Sequence, residues 1–286
     1  MRAGLQRLFG LGALVLAVAA CARDTSLSEA SPPETQIEDY EVVLEGAPSE
    51  DVAELAEESL SVYRLQDEGA QSRAFLRRRA EGDLPTIVKI LHSRGFFDGT
   101  ATVDLSPLEA EEIVVTFRLK PGEAYRLTTH RFALAPSEPT PPLDPAALGS
   151  PVGRAAEAAP IVAAEDAAVG ALRRAGFAYA AFEGREALAD RETKTLEVTS
   201  RIAPGRKYAF GPVRFAGVES VPEDYLETYV PWREGETYDE SDLKEYQRRL
   251  AETGLFTSVT VEPPREPPAG PALPLRVRAE ERRPRT

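Results

Sequence analysis

The chain has 286 residues, with 34 Lys plus Arg against 47 Asp plus Glu and a formal net charge of −13. That length exceeds one small domain and fits two or three of about 100 residues each. The acidic balance argues against a nucleic-acid binder, which needs surplus Lys and Arg to neutralise phosphates. One Cys and two His exclude a disulfide framework, a multi-Cys zinc or iron–sulfur centre and a His-rich metal site.

The N-terminus reads as an export signal. Arg2 and Arg7 form a positive start, and Leu8 to Ala20 is an apolar run of 13 residues, too short to span a bilayer. The run ends in Val18-Ala19-Ala20-Cys21, which resembles a bacterial lipobox; Cys21 is then the lipidated first residue of the mature chain. Ordinary cleavage after a small-x-small site, at Ala17-Val18-Ala19 or Ala20-Cys21-Ala22, is the alternative. Residues 1–20 are thus the predicted signal peptide. Residues 21–38, with Ser31-Pro32-Pro33-Glu34, are a predicted flexible tether.

Beyond the tether one pattern occurs three times: Leu91-His92-Ser93-Arg94-Gly95-Phe96, Leu172-Arg173-Arg174-Ala175-Gly176-Phe177 and Leu250-Ala251-Glu252-Thr253-Gly254-Leu255. The glycines are 81 and 78 residues apart. Each hexapeptide closes an amphipathic stretch and precedes an extended one. Basic residues near the end of the first two stretches, followed by Gly, describe a helix C-terminus with Gly in the left-handed C′ position. Gly95, Gly176 and Gly254 are therefore expected to be structural.

The first copy is predicted to run from a strand at Glu41 to Leu44 into a helix capped by Ser49, with Val52, Leu55, Ala56, Ser59 and Tyr63 on one face. A second helix begins at Ser72, with Pro85 expected to kink or split it. Strands follow at Ala101 to Leu105 and Ile113 to Leu119, and Pro121-Gly122 closes the copy. The second copy opens with a strand at Tyr125 to Leu134. It continues through a Pro-rich stretch from Pro136 to Pro151 in which a first helix is poorly marked, and a long helix is expected over Arg154 to Ala175. Strands at Ala178 to Phe182 and Thr195 to Ile202 end at Pro204-Gly205. The third copy opens at Tyr208 to Phe215, has a short helix near Pro222 to Tyr229 and a longer one from Asp239 to Thr253, and closes with strands at Ser258 to Val261 and Leu273 to Ala279. The repeating unit is β-α-α-β-β.

Three such units behind an export signal resemble POTRA (polypeptide-transport-associated) domains of the BamA-like outer-membrane assembly superfamily. Among these they are most similar to the periplasmic arm of TamA-type autotransporter assembly factors. The likeness is carried by Phe75-Leu76-Arg77-Arg78-Arg79-Ala80 with Leu91 to Phe97, by Gly211-Pro212-Val213-Arg214-Phe215-Ala216-Gly217, by Pro231-Trp232-Arg233-Glu234-Gly235 and by Gly254-Leu255-Phe256-Thr257-Ser258-Val259. Glu280 to Thr286 looks like the stretch that leads into the family's barrel. The resemblance implies an α+β fold of three tandem units, 39–122, 123–205 and 206–286, each a three-stranded mixed sheet packed on two helices. In the family a β-barrel follows, and at least 8 strands of about 10 residues would be needed for one. The sequence stops at Thr286, which leaves either an arm separated from its insertase or a chain without insertase activity.

The resemblance also implies a function: a non-enzymatic, cofactor-free periplasmic scaffold for assembly and translocation of outer-membrane proteins and autotransporters in a Gram-negative bacterium. Its partners are unfolded outer-membrane proteins and an inner-membrane TamB-like protein, and its attachment is to the outer membrane through a lipid, a barrel or both. In the family's topology the strand after the Gly motif lies at the sheet edge, where it can accept a client strand by β-augmentation. That assigns partner binding to Thr102 and Val103, Tyr179 and Ala180, and Val259 and Thr260. The competing reading is a lipid-anchored spacer that links envelope components without binding clients. An enzyme is disfavoured by the residues themselves: there is no Gly-x-Ser-x-Gly, His-Glu-x-x-His or Gly-Lys-Ser/Thr motif. The adjacent acids Glu57-Glu58, Glu111-Glu112 and Glu280-Glu281 read as solvated surface, because neighbours in sequence do not face one site. Arg77 to Arg79 reads as an exposed helix face or an anionic contact, and Trp232 as packing within its unit or a contact anchor.

Overall fold

The computed structural model describes residues 36–107, 110, 112–136 and 138–282. The expected signal peptide, Cys21 and most of the tether lie outside them, as do residues 283–286. Three separate sheets follow one another, each of three strands. The first contains β1 (Glu41–Glu45), β2 (Thr100–Leu105) and β3 (Val114–Lys120), in the order β1-β3-β2. The second contains β4 (Arg126–Leu134), β5 (Ala181–Asp190) and β6 (Thr195–Ala203), in the order β4-β6-β5. The third contains β7 (Ala209–Ala216), β8 (Phe256–Glu262) and β9 (Ala272–Glu281), in the order β7-β9-β8. In each, the last strand is central, parallel to the first and antiparallel to the second.

The central strands show why each sheet has one covered face. Inward positions two residues apart are buried: Val115, Phe117 and Leu119 in β3, Leu196, Val198, Ser200 and Ile202 in β6, Leu273, Leu275, Val277 and Ala279 in β9. Helices supply the opposing layer. In the first unit these are α1 (Glu50–Ser59), α2 (Ser61–Arg64) and α3 (Arg73–Ser93); in the second, α4 (Ala158–Arg174); in the third, α5 (Glu223–Glu227) and α6 (Glu240–Glu252). Ser72 caps α3 by accepting from Phe75 N–H at 3.2 Å, and Asp239 caps α6 by accepting from Ser241 N–H at 2.7 Å. Ser49 occupies the N-cap position of α1 without a side-chain capping bond.

Three local expectations need correction. Pro85 sits inside α3, which runs unbroken from Arg73 to Ser93. The break falls earlier, at Leu60, between α1 and α2. It is held by Asp83 of α3, whose buried carboxylate accepts from Ser61 N–H (3.1 Å), Ser61 O–H (2.9 Å) and Val62 N–H (3.0 Å). Second, α4 starts at Ala158, because residues 153–156 instead pair with β4 and Tyr125: Gly153 N–H donates to Leu127 O at 2.7 Å and Ala156 N–H to Tyr125 O at 2.8 Å. Third, among the described residues between β4 and α4 there is no helix. Pro136, Pro139, Pro141, Pro142, Pro145 and Pro151 remove amide donors at a spacing that no helix tolerates. A strap replaces the helix and packs Leu143 and Leu148 on the α4 core.

The third core is the most aromatic. Trp232 stacks on Phe210 at 4.4 Å and meets Tyr246 edge-on at 5.4 Å, so it packs within its own unit. Each such pair contributes about 0.5–1.5 kcal/mol beyond its area.

Candidate sheet edges and the joints between units

β2, β5 and β8 each lie at one edge of their sheet, with a neighbour on one side only. Thr102 and Val103 fall within β2, opposite Arg118 and Phe117. Thr102 is exposed, while Val103 is half-buried and packs against the first core. On the outer face Arg118 of β3 bridges Glu45 of β1 (3.0 Å) and Asp104 of β2 (2.5 Å), an ion ladder across all three strands. Val259 and Thr260 fall within β8 and point to opposite faces, Val259 buried and Thr260 exposed. Thr260, Ser258, Arg278 and Glu280 line a shallow depression on the outer face with Ala216 and Gly217. One acceptor of this edge is already used: Val259 O accepts from Gln247 Nε2 of α6 at 2.8 Å.

Tyr179 and Ala180 are not strand residues. β5 begins at Ala181, because a turn closed by Ala180 N–H donating to Phe177 O (2.9 Å) stands between the helix end and the sheet. The first unit spaces its strand likewise, with Gly99 N–H donating to Phe96 O at 3.0 Å. Ala180 is wholly buried, and its carbonyl accepts from Arg173 Nε (3.1 Å) and a terminal Arg173 nitrogen (3.0 Å). Tyr179 belongs to the joint with the third unit: its hydroxyl donates to Pro264 O at 2.8 Å and its ring meets Tyr208 edge-on at 5.5 Å. The edge lies further on, in ten residues that include Leu188, 69% exposed, and Phe182 at 42%.

Gly95, Gly176 and Gly254 have φ of +88°, +105° and +71°. The first two also build the joints. Tyr125 N–H donates to Gly95 O and Tyr208 N–H to Gly176 O, each at 2.9 Å. Each tyrosine carbonyl then accepts from the following segment, Ala156 N–H at 2.8 Å or Tyr238 N–H at 3.0 Å. Tyr40, Tyr125 and Tyr208 each immediately precede the first strand of a unit and are buried, a recurrence that marks the joints in the sequence.

The polar chemistry of the two joints differs. At the first, Asp98 accepts from Lys194 Nζ (2.7 Å) and Tyr125 O–H (2.9 Å), with Arg191 at 3.7 Å. The hydrogen bond from Lys194, then that from Tyr125, holds the Asp98 carboxyl below its usual range. At the second, Arg173 approaches Glu240 at 3.4 Å and Glu138 of the strap accepts from Lys207 N–H at 3.1 Å. Of the arginine run, Arg77 and Arg78 are exposed, whereas Arg79 donates to Gly69 O at 2.9 Å and Tyr40 Oη at 3.2 Å. Glu281 is no idle surface acid: its carboxylate accepts from the N–H groups of Glu219 (2.8 Å), Ser220 (2.8 Å) and Val221 (3.1 Å) and from the Ser220 hydroxyl.

Residues 208–281 match the POTRA family model, described as a surface antigen variable number repeat. POTRA units 3–5 of BamA from Haemophilus influenzae superpose with a TM-score of 0.53 at 18% identity, over 88% of this chain and 99% of that one. The three units have the fold of a tandem POTRA array. Also similar are the N-terminal domain of Omp85 from Thermosynechococcus elongatus (TM-score 0.35, 20% identity, 88% of this chain and 100% of that one) and BamA from Haemophilus ducreyi lacking POTRA domains 1–3 (TM-score 0.47, 18% identity, 55% of this chain and 30% of that one). Within this fold the second unit departs most from the repeat, with its strap in place of a helix.

Proposed function

We propose that this chain is a non-enzymatic periplasmic scaffold of outer-membrane protein assembly in a Gram-negative bacterium, and that it takes up unfolded outer-membrane chains by strand addition. The units are 39–122, 123–205 and 206–286, behind a signal peptide and a tether. Attachment to the outer membrane is through a lipid on Cys21, a barrel or both. Autotransporters are the client class, and a TamB-like inner-membrane protein is the second partner.

The observation that carries this reading is the sheet order: the second strand of every unit stands at an edge. An edge strand offers backbone N–H and C=O groups that pair with any extended chain, so recognition depends little on side chains and suits varied clients. β5 is the longest of the three edges and the least covered.

The test is amide exchange of the chain with and without a saturating peptide copied from an outer-membrane barrel strand. Slowed exchange confined to β2, β5 or β8 is the expected result. Protection on β1, β4 or β7 instead would move strand addition to the opposite edges. Binding without protection at any sheet edge rules it out, and no binding at all favours a spacer.

A further inference from the structure

The second unit carries a buried polar chain that runs through a histidine and links helix, sheet and strap; among the described residues the other two cores show none that does so. Ser200 stands in the inward row of β6, where β3 and β9 carry apolar side chains. Its hydroxyl donates to Glu165 of α4, whose carboxylate also accepts from Arg185 of β5, through Nε at 2.7 Å and through a terminal nitrogen. His130 of β4 lies between two hydroxyls, Nε2 at 2.9 Å from Ser200 Oγ and Nδ1 at 2.8 Å from Ser150 Oγ. All four of His130, Ser150, Ser200 and Glu165 are buried.

The donor count orients the chain. Ser200 has one proton and gives it to Glu165, so Ser200 Oγ accepts from His130 Nε2–H. In a neutral imidazole Nδ1 is then the acceptor and takes the Ser150 proton. Ser150 lies on the strap between β4 and α4, the same segment from which Glu138 accepts the Lys207 N–H of the third unit. The strap is thus tied to the sheet at Ser150 and to the second joint at Glu138.

We propose that His130 is an acid-sensitive latch for this strap: a proton from solvent taken up at Nδ1 turns the acceptor of the Ser150 proton into a donor and forces that hydroxyl to reverse. It also places a positive charge in the buried chain that already holds Arg185, and together these favour release of the strap and loosening of the joint to the third unit. The groups facing His130 are Glu165 from α4, Arg185 from β5, and the hydroxyls of Ser200 from β6 and Ser150 from the strap. Burial lowers the imidazole pKa below its ordinary 6.5; Glu165 opposes this and Arg185 adds to it. A histidine with a lowered pKa in the closed state favours that state above 6.5. As pH falls from 6.5 towards the lowered value, each pH unit raises the opening constant by up to about tenfold.

The test is amide exchange of the full chain between pH 5 and 7.5, corrected for the intrinsic pH dependence of exchange. Strap amides and Lys207 should lose protection below 6.5, by up to about tenfold per pH unit, while α3 in the first unit stays unchanged. Ser150→Ala should open the strap at all pH values. His130→Gln, which cannot titrate, should flatten the response. Flat strap exchange in the unaltered chain, or a response that persists in His130→Gln, overturns the latch. If His130→Gln does not fold, the imidazole can be titrated by NMR in a His92→Gln background, where it is the only histidine; a pKa at or above 6.5 overturns the proposal equally.

Discussion

The backbone N–H of Tyr125 donates to the carbonyl of Gly95 at 2.9 Å, and by this bond the first unit hands the chain to the second. Tyr208 and Gly176 repeat it at the next joint. The two glycines therefore end a helix and seat the following unit at once. Gly254 has the same backbone conformation, but a Cβ added there meets nothing within 4 Å.

This difference ranks the glycine substitutions. An alanine in the left-handed region costs about 1–2 kcal/mol in all three cases. At Gly176 the added Cβ also lies 2.7 Å from Lys207 Cγ and 3.1 Å from Thr237 Cγ2, and at Gly95 it meets Ala156 backbone at 3.4 Å. Gly176→Ala should therefore be the most destabilising, Gly95→Ala next and Gly254→Ala the mildest. Thermal melts of the three variants check the order; equal losses would mean that the joints contribute nothing to it.

Asp83→Asn is expected to be far from conservative. Asp83 Oδ1 accepts two bonds from Ser61 and Oδ2 accepts one from Val62 N–H. An amide offers one oxygen, so its NH2 group would face a backbone donor inside the core. The loss should be about 1–3 kcal/mol, read as a lowered denaturation midpoint that Asp83→Glu does not restore, since its longer chain misplaces both oxygens.

The parts of this array that rest on periodicity and local chemistry are legible in the sequence. The Gly-Phe and Gly-Leu pairs mark helix ends, and alternation locates β3, β6 and β9. Sheet order is not visible that way, because parallel pairing of β1 with β3 leaves no local mark; it comes from the family resemblance. Leu60 is a helix break with no Pro or Gly to announce it, since the cause is Asp83, 23 residues away. Pro85 is tolerated within a long helix that packs on the first core. Tyr179 and Ala180 looked extended because a tight turn and a strand share small and aromatic residues. His130, Ser150 and Ser200 are separated by 20 and 50 residues, so nothing in the sequence pairs them.

Acid should weaken the third unit through Glu281. Hydrogen bonds from the Ser220 side chain and then the Ser220 backbone, with those of Glu219 and Val221, pull its carboxyl from 4.5 down to about 2. A carboxylate with a lowered folded-state pKa contributes stability above its unfolded value, and that contribution disappears as pH falls from 4.5 to about 2. Glu281→Gln should be less stable than the unaltered chain at pH 7 and should converge with it near pH 2. Parallel stability curves down to that pH would show that the nest around residues 219–221 does not depend on the charge.

Gln247 sets how open the β8 edge is. Its side-chain amide occupies Val259 O at 2.8 Å, and a client strand adding to β8 would compete for that acceptor. Gln247→Ala frees the carbonyl and favours helix α6 slightly, since Ala is the better helix former. A released backbone acceptor is worth about 1 kcal/mol when a new donor fills it, so a barrel-derived peptide that pairs with β8 should bind about fivefold more tightly to the variant. Calorimetric titration of both proteins gives the ratio, and amide exchange in the bound state shows which edge is protected. Unchanged affinity with protection on β5 would move client binding to the second unit, where the longest edge has no such cap among the described residues.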